Sequence, residues 1–105
     1  MSNSPFFLNE NGTGTIVASK QFFEESAVLA ALGKFTPSYY ISVQPANESA
    51  IEITAQDKEG KALPMETLKN MMNELIDQQI RVELDRRFSD IRKTIVQHAF
   101  SPVEL

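Results

Sequence analysis

The sequence predicts a two-layer α+β domain in β-α-β-β-α order, with a small sheet and a long C-terminal helix that is continuous or broken. Three observations lead to this fold class. A β-branched stretch precedes a segment with helical spacing of apolar residues, two later stretches alternate apolar with polar side chains, and no Gly or Pro occurs between Pro64 and His98. The length of 105 residues and the 42% of hydrophobic residues suit one domain, which we expect over residues 13–105.

The first third of the chain predicts a tail, a strand and a helix. Residues 1–12 are polar apart from 6–8, and we interpret them as a flexible N-terminal tail rather than a first hairpin arm. Thr15, Ile16 and Val17 are β-branched or aliphatic and favour a short strand within residues 13–18. Ser19 is expected to cap a helix over residues 21–32, which ends at Gly33.

A β-hairpin is predicted next. Its first strand places Tyr39, Ile41 and Val43 on one face, and its second strand does the same with Ile51, Ile53 and Ala55. Alternation with period two predicts that these residues face a core while their neighbours face water. Residues 45–49 form the connecting loop in this interpretation.

The apolar stripe of the C-terminal helix changes direction along its length. Its first part, expected to cover the hairpin, comprises Met65, Leu68, Met72 and Leu75. Its second part comprises Ile76, Ile80, Leu84 and Phe88, whose steps of four each rotate the stripe by about 40°. One straight helix cannot press both parts onto the same sheet. The helix therefore breaks near residues 76–81, or its second half packs on another surface such as a second chain.

Composition excludes several classes of chemistry. The chain has no cysteine and one histidine, His98, so thiolate and multi-histidine metal sites cannot form. His98 lacks a partner at a recognisable catalytic spacing, and no nucleotide-binding or hydrolase motif occurs. We expect no enzymatic activity, no cofactor and no metal site. No apolar run is long enough to span a membrane, and no signal peptide is apparent, so a cytoplasmic protein is expected.

Charge is distributed unevenly along the chain. The net charge is −4, while residues 1–80 carry five lysines and ten acids and thus a net charge of −5. All four arginines lie within residues 81–92, where acidic residues interrupt them. A nucleic-acid-binding protein normally presents a basic stripe, so no nucleic-acid partner is expected.

Asp77 and Arg81 are four positions apart and therefore meet on one face of the helix in the favourable acid-first order. Most such pairs are surface ion pairs that contribute little to stability. In the functional interpretation, Arg81 offers its two-pronged guanidinium to a carboxylate of a partner, and Asp77 orients it.

The run from Asn73 to Arg81 resembles a signature of the small HxsD proteins of the His-Xaa-Ser peptide-modification systems. The matching positions are Leu75, Asp77, Ile80 and Arg81. Gln78 replaces the usual aromatic residue, and Val82 replaces an acid that follows one place later as Glu83. The likeness extends over residues 14–101 and includes Ile91-Arg92 and the segment 97–101.

The resemblance implies radical-SAM maturation enzymes as partners, together with a ribosomal precursor peptide that carries His-Xaa-Ser repeats. It implies an accessory protein that binds the peptide, the enzyme or both, since the D protein is not itself known as the catalyst. A homodimeric structural module and a regulator or enzyme subunit of an unrelated class are the alternatives. The residues that we expect to contact a partner are Asp77, Arg81, Leu84, Phe88, Ile91, Arg92 and Ile95.

Overall fold

The computed structural model describes residues 5–100, and the side chains of residues 5–89. Its elements are β1 (Phe6–Leu8), β2 (Gly14–Ser19), α1 (Glu25–Gly33), β3 (Tyr39–Asn47), β4 (Ala50–Asp57) and α2 (Met65–Phe100). The strands form one antiparallel sheet in the order β1-β2-β4-β3, and both helices pack on one face of it. The predicted two-layer α+β class with a long C-terminal helix is confirmed.

Strand β1 lies within residues 1–12, so the prediction that these residues form a flexible tail is wrong for Phe6–Leu8. Phe6 pairs with Ile16 across an antiparallel ladder, so these residues form the first hairpin arm instead. A turn holds the arm in place. Gly12 has a φ of 89°, and the Asn9 side-chain amide donates hydrogen bonds to the hydroxyls of Thr13 and Thr15, at 2.9 and 2.8 Å.

The inner face of the sheet consists of rows of facing residues. One row runs from Phe6 through Ile16 and Ile53 to Val43, and only its two central members are fully buried. The predicted alternation is confirmed for Ile53 and Ala55. Val43 departs from it, because this end of the row lies at the sheet edge and 48% of the residue is exposed.

Helix α1 begins later than residue 21, and Ser19 is not its cap. Ser19 stays in the sheet opposite Ala50, and its carbonyl accepts hydrogen bonds from the N–H groups of Phe22 and Phe23. The intervening residues therefore form a turn, which leaves Phe22 68% exposed. Glu24 occupies the cap position without a side-chain hydrogen bond to the helix.

Strand β3 is longer than predicted and includes Pro45, so the loop over residues 45–49 is shorter than expected. The strand lies at the edge of the sheet, where a residue without an N–H group is tolerated. The ladder with β4 is irregular between Pro45 and Asn47.

Helix α2 is continuous and about 54 Å long at 1.5 Å per residue, so the predicted alternative of a break near residues 76–81 is not realised. Its core residues are Leu68, Met71 and Leu75, each at most 1% exposed, whereas Met65 is 37% exposed. The helix packs chiefly against α1, β1 and β2, not against the hairpin as expected. With this placement Met71 lies in the core, whereas Met72, which the sequence predicts there, is only partly buried at its margin.

Candidate partner-binding surface

Two polar networks fix α2 against α1. At the start of α1, the backbone N–H of Glu24 donates a hydrogen bond of 2.8 Å to the Gln79 side chain. Arg86 donates to the Glu24 carboxylate at 2.6 Å and to Glu83 at 2.9 Å. The hydrogen bond from Arg86 to Glu24 raises the pKa of the arginine above its ordinary value. Arg86 is thus held by groups on both helices.

The second network lies at the other end of α1. Lys34 forms an ion pair of 2.7 Å with Glu74, whose carboxylate also accepts a hydrogen bond of 2.7 Å from Gln78. The hydrogen bond from Lys34 is the largest reason that the pKa of Glu74 is lowered. Because Glu24 meets Gln79 and Arg86 while Lys34 meets Glu74, α1 runs antiparallel to α2.

A row of exposed apolar side chains covers the side of α2 that faces away from the core, and we call it the α2 stripe. Its members are Ile76, Ile80, Leu84 and Phe88, with exposed fractions of 44, 51, 47 and 58%. At about 100° per residue, Leu84 lies opposite the buried Leu75. The sequence-based expectation that the second half of the helix points away from the sheet therefore agrees with the exposure of these side chains.

The predicted ion pair lies beside the α2 stripe. Arg81 Nε donates to Asp77 Oδ2 at 2.9 Å, and this hydrogen bond raises the pKa of Arg81. The structure thus places four of the seven predicted contact residues on one exposed part of α2. Ile91, Arg92 and Ile95 belong to the same helix, but their side chains lie outside the described residues.

Sequence reasoning missed a groove of about 730 Å³ between the start of α1 and the β3 side of the sheet. Its apolar lining consists of Phe23, Val28, Leu29, Val43 and Ile51. No local pattern signals this groove, because it depends on how far α1 extends over the sheet. Ile76 and Ile80 were not in the predicted contact set, although the sequence pattern already places them in one four-residue series with Leu84 and Phe88.

Within residues 5–89, no three or more His, Cys, Asp or Glu side chains come together in a cluster that could hold a metal ion. No helix in the described part of the chain is both long enough and apolar enough to cross a membrane.

The family resemblance is tested by comparison with known proteins. The family model described as "His-Xaa-Ser system protein HxsD" matches residues 18–105, which is more than four-fifths of the chain. Searches of curated proteins and of solved structures gave no match. The matched range contains both helices, the hairpin and the α2 stripe, and the chain therefore belongs to the HxsD family of His-Xaa-Ser system proteins.

Proposed function

We propose that this chain is a non-catalytic accessory protein that binds another component of its His-Xaa-Ser system through the second half of α2. The component is a radical-SAM maturation enzyme, the precursor peptide or a complex of the two. The α2 stripe is the observation that carries the proposal. It is a regular apolar surface with no covering element among the described residues, and it lies on a helix that Gln79 and Arg86 join to the start of α1.

The energetics of burial support a partner at this surface. Covering a fully exposed Leu, Ile or Phe side chain contributes about 1.5–3 kcal/mol, and roughly half of that remains available where half of the residue is already covered. Four such residues in a row give a surface that is costly to leave in water and useful in a complex. The i, i+4 spacing is typical of helices that dock into an apolar groove or against another helix.

The charged residues beside the α2 stripe would determine the orientation in which the partner binds. Arg81 already donates to Asp77, yet most of its side chain is exposed. We propose that it also forms a bidentate contact with a carboxylate of the partner, with Asp77 keeping the side chain in place. Ile91, Arg92 and Ile95 would extend the same contact towards the end of the helix.

The test is co-purification of the full chain with each maturation enzyme of its system, using Leu84→Lys and a matched Ser89→Lys control. Ser89 is exposed and lies on the side of α2 away from the stripe. We expect Leu84→Lys to abolish the complex and Ser89→Lys to preserve it, with unchanged circular dichroism for both free proteins. Equal binding by wild type and Leu84→Lys would contradict the proposal.

A homodimer is the second candidate, because apolar residues repeated every four positions also suit a seam between two copies of one helix. Sedimentation equilibrium separates the two candidates. A dimer that Leu84→Lys dissociates favours the homodimer, whereas a monomeric wild type favours a surface reserved for another protein.

A further inference from the structure

We propose that the groove between α1 and β3 binds an extended peptide segment, which adds as a fifth strand to the edge of β3 and places apolar side chains in the groove. This site is separate from the α2 stripe. The identification of the segment as part of the system's ribosomal precursor peptide rests on the proposed function.

The first argument comes from the edge of the sheet. Strand β3 is nine residues long and contains no charged side chain, and Pro45 near its end is the one residue in it that hinders pairing. Sheet edges that must stay unpaired are normally short or protected by charges. The opposite edge, β1, has three residues and fits that description. The long, uncharged edge of β3 is suited to pair with another strand.

The second argument comes from the side chains next to this edge. The row Phe6–Ile16–Ile53–Val43 lies on the inner face, and its last member is half-exposed towards the groove. A strand paired with β3 would continue the row by one position. An apolar side chain at that position would meet Val43, Val28 and Leu29, of which Leu29 is 59% exposed. Main-chain pairing and side-chain insertion are the two parts of peptide recognition by strand addition.

Charge favours a foreign peptide over a second copy of this chain. The groove is also lined by Glu24, Glu25 and Lys20; Arg86 pairs with Glu24, whereas Glu25 and Lys20 have no ion-pair partner among the residues whose side chains are described, so the charge difference comes from the rest of the sheet layer. Residues 1–80, which contain the whole sheet, carry a net charge of −5. Two copies joined at β3 would bring two such surfaces together, whereas a neutral or basic segment would not be repelled.

The experiment uses the full chain and fluorescein-labelled, overlapping synthetic peptides that cover the precursor peptide, with binding measured by fluorescence anisotropy. Val43→Lys places a charge on the groove face of β3, and Ser42→Lys places the same charge on the other face of the same strand. We expect at least one peptide to bind the wild-type chain. Val43→Lys should weaken the affinity for that peptide about tenfold or more, and Ser42→Lys should leave the affinity within about twofold of the wild-type value. Leu29→Lys, in the helical wall, should reproduce the loss independently of β3.

A second measurement tests the main-chain pairing. The bound peptide is compared with a version that is N-methylated at alternate backbone amides and so cannot donate those hydrogen bonds. We expect the methylated peptide to lose binding, and amide hydrogen exchange to slow along β3 when the unmodified peptide is added. Any of three results would overturn the inference. The methylated peptide binds as well as the unmodified one, the slowing of amide hydrogen exchange is confined to α2 or β1, or no peptide binds.

The outcomes also separate this inference from the proposed function. If the maturation enzyme binds through the α2 stripe and no peptide binds at β3, this inference alone fails. If peptides bind the wild-type chain, and Leu84→Lys abolishes that binding while Val43→Lys does not, the groove is not the peptide site. A wild-type dimer that Val43→Lys dissociates would assign the edge to a second copy and overturn the inference.

Discussion

Leu75 and Leu84 lie nine positions apart on the same helix, but their truncation to alanine should change the free energy of unfolding by very different amounts. Leu75 is 0% exposed and packs in the core, so Leu75→Ala removes buried apolar surface and leaves a cavity. The expected loss in the free energy of unfolding is about 2–5 kcal/mol. That is a large share of the roughly 5–15 kcal/mol that stabilises a domain of this kind.

Leu84 is 47% exposed, and it follows the part of α2 that packs on the sheet. Leu84→Ala should therefore lower the free energy of unfolding by less than about 1 kcal/mol, partly offset by the higher helix propensity of alanine. Urea unfolding followed by circular dichroism, at two protein concentrations, measures both variants. If Leu84→Ala destabilises as strongly as Leu75→Ala at both concentrations, residue 84 belongs to the core of a single chain and our division of α2 is wrong. A loss that depends on protein concentration assigns the α2 stripe to a homodimer.

Three further predictions concern single residues. Gly14→Ala should lower the free energy of unfolding by about 1–3 kcal/mol, because the added Cβ would lie 2.6 and 2.7 Å from the side chains of the buried Leu68 and Leu63. Gly33→Ala should raise the free energy of unfolding by about 0.4–1 kcal/mol in the same urea assay, because nothing lies within 4 Å of its added Cβ. Glu74→Gln should destabilise at neutral pH, because Lys34 lowers the pKa of the folded carboxyl. That stabilisation is present above the unfolded pKa of about 4.3 and disappears as the pH falls through the folded value, so wild-type and variant unfolding curves should converge in acid. Arg81→Ala should leave the urea midpoint of the free chain almost unchanged and weaken co-purification with the partner; normal co-purification would exclude Arg81 from the contact.

Much of the fold follows from local sequence patterns. Strict alternation predicts β3 and β4, because a strand presents successive side chains to opposite faces. The uninterrupted run after Pro64 predicts α2, and the drift of its apolar residues predicts that its two halves face different surroundings. The α2 stripe was therefore accessible from the sequence alone.

The remaining features depend on contacts between distant parts of the chain. Strand β1 has three residues, too few for a periodic signal, and its pairing depends on the turn at Asn9. Helix α1 begins later than the sequence predicts because Ser19 is part of strand β2, where it pairs with Ala50. The contacts of Glu24 with Gln79 and Arg86 bridge 55 and 62 positions, and no local pattern encodes such a separation.

The length of α2 has a hydrodynamic consequence. The radius of gyration is 18.9 Å and the molecule measures 67 × 29 × 20 Å, whereas a compact chain of this length would have a radius of gyration of about 13 Å. Such a rod-like particle experiences more drag than a sphere of equal mass. A single chain should therefore elute early from a gel-filtration column, at a volume that a globular calibration would assign to a heavier species. Light scattering and sedimentation equilibrium report mass independently of shape, and they are the methods that will count the chains in solution.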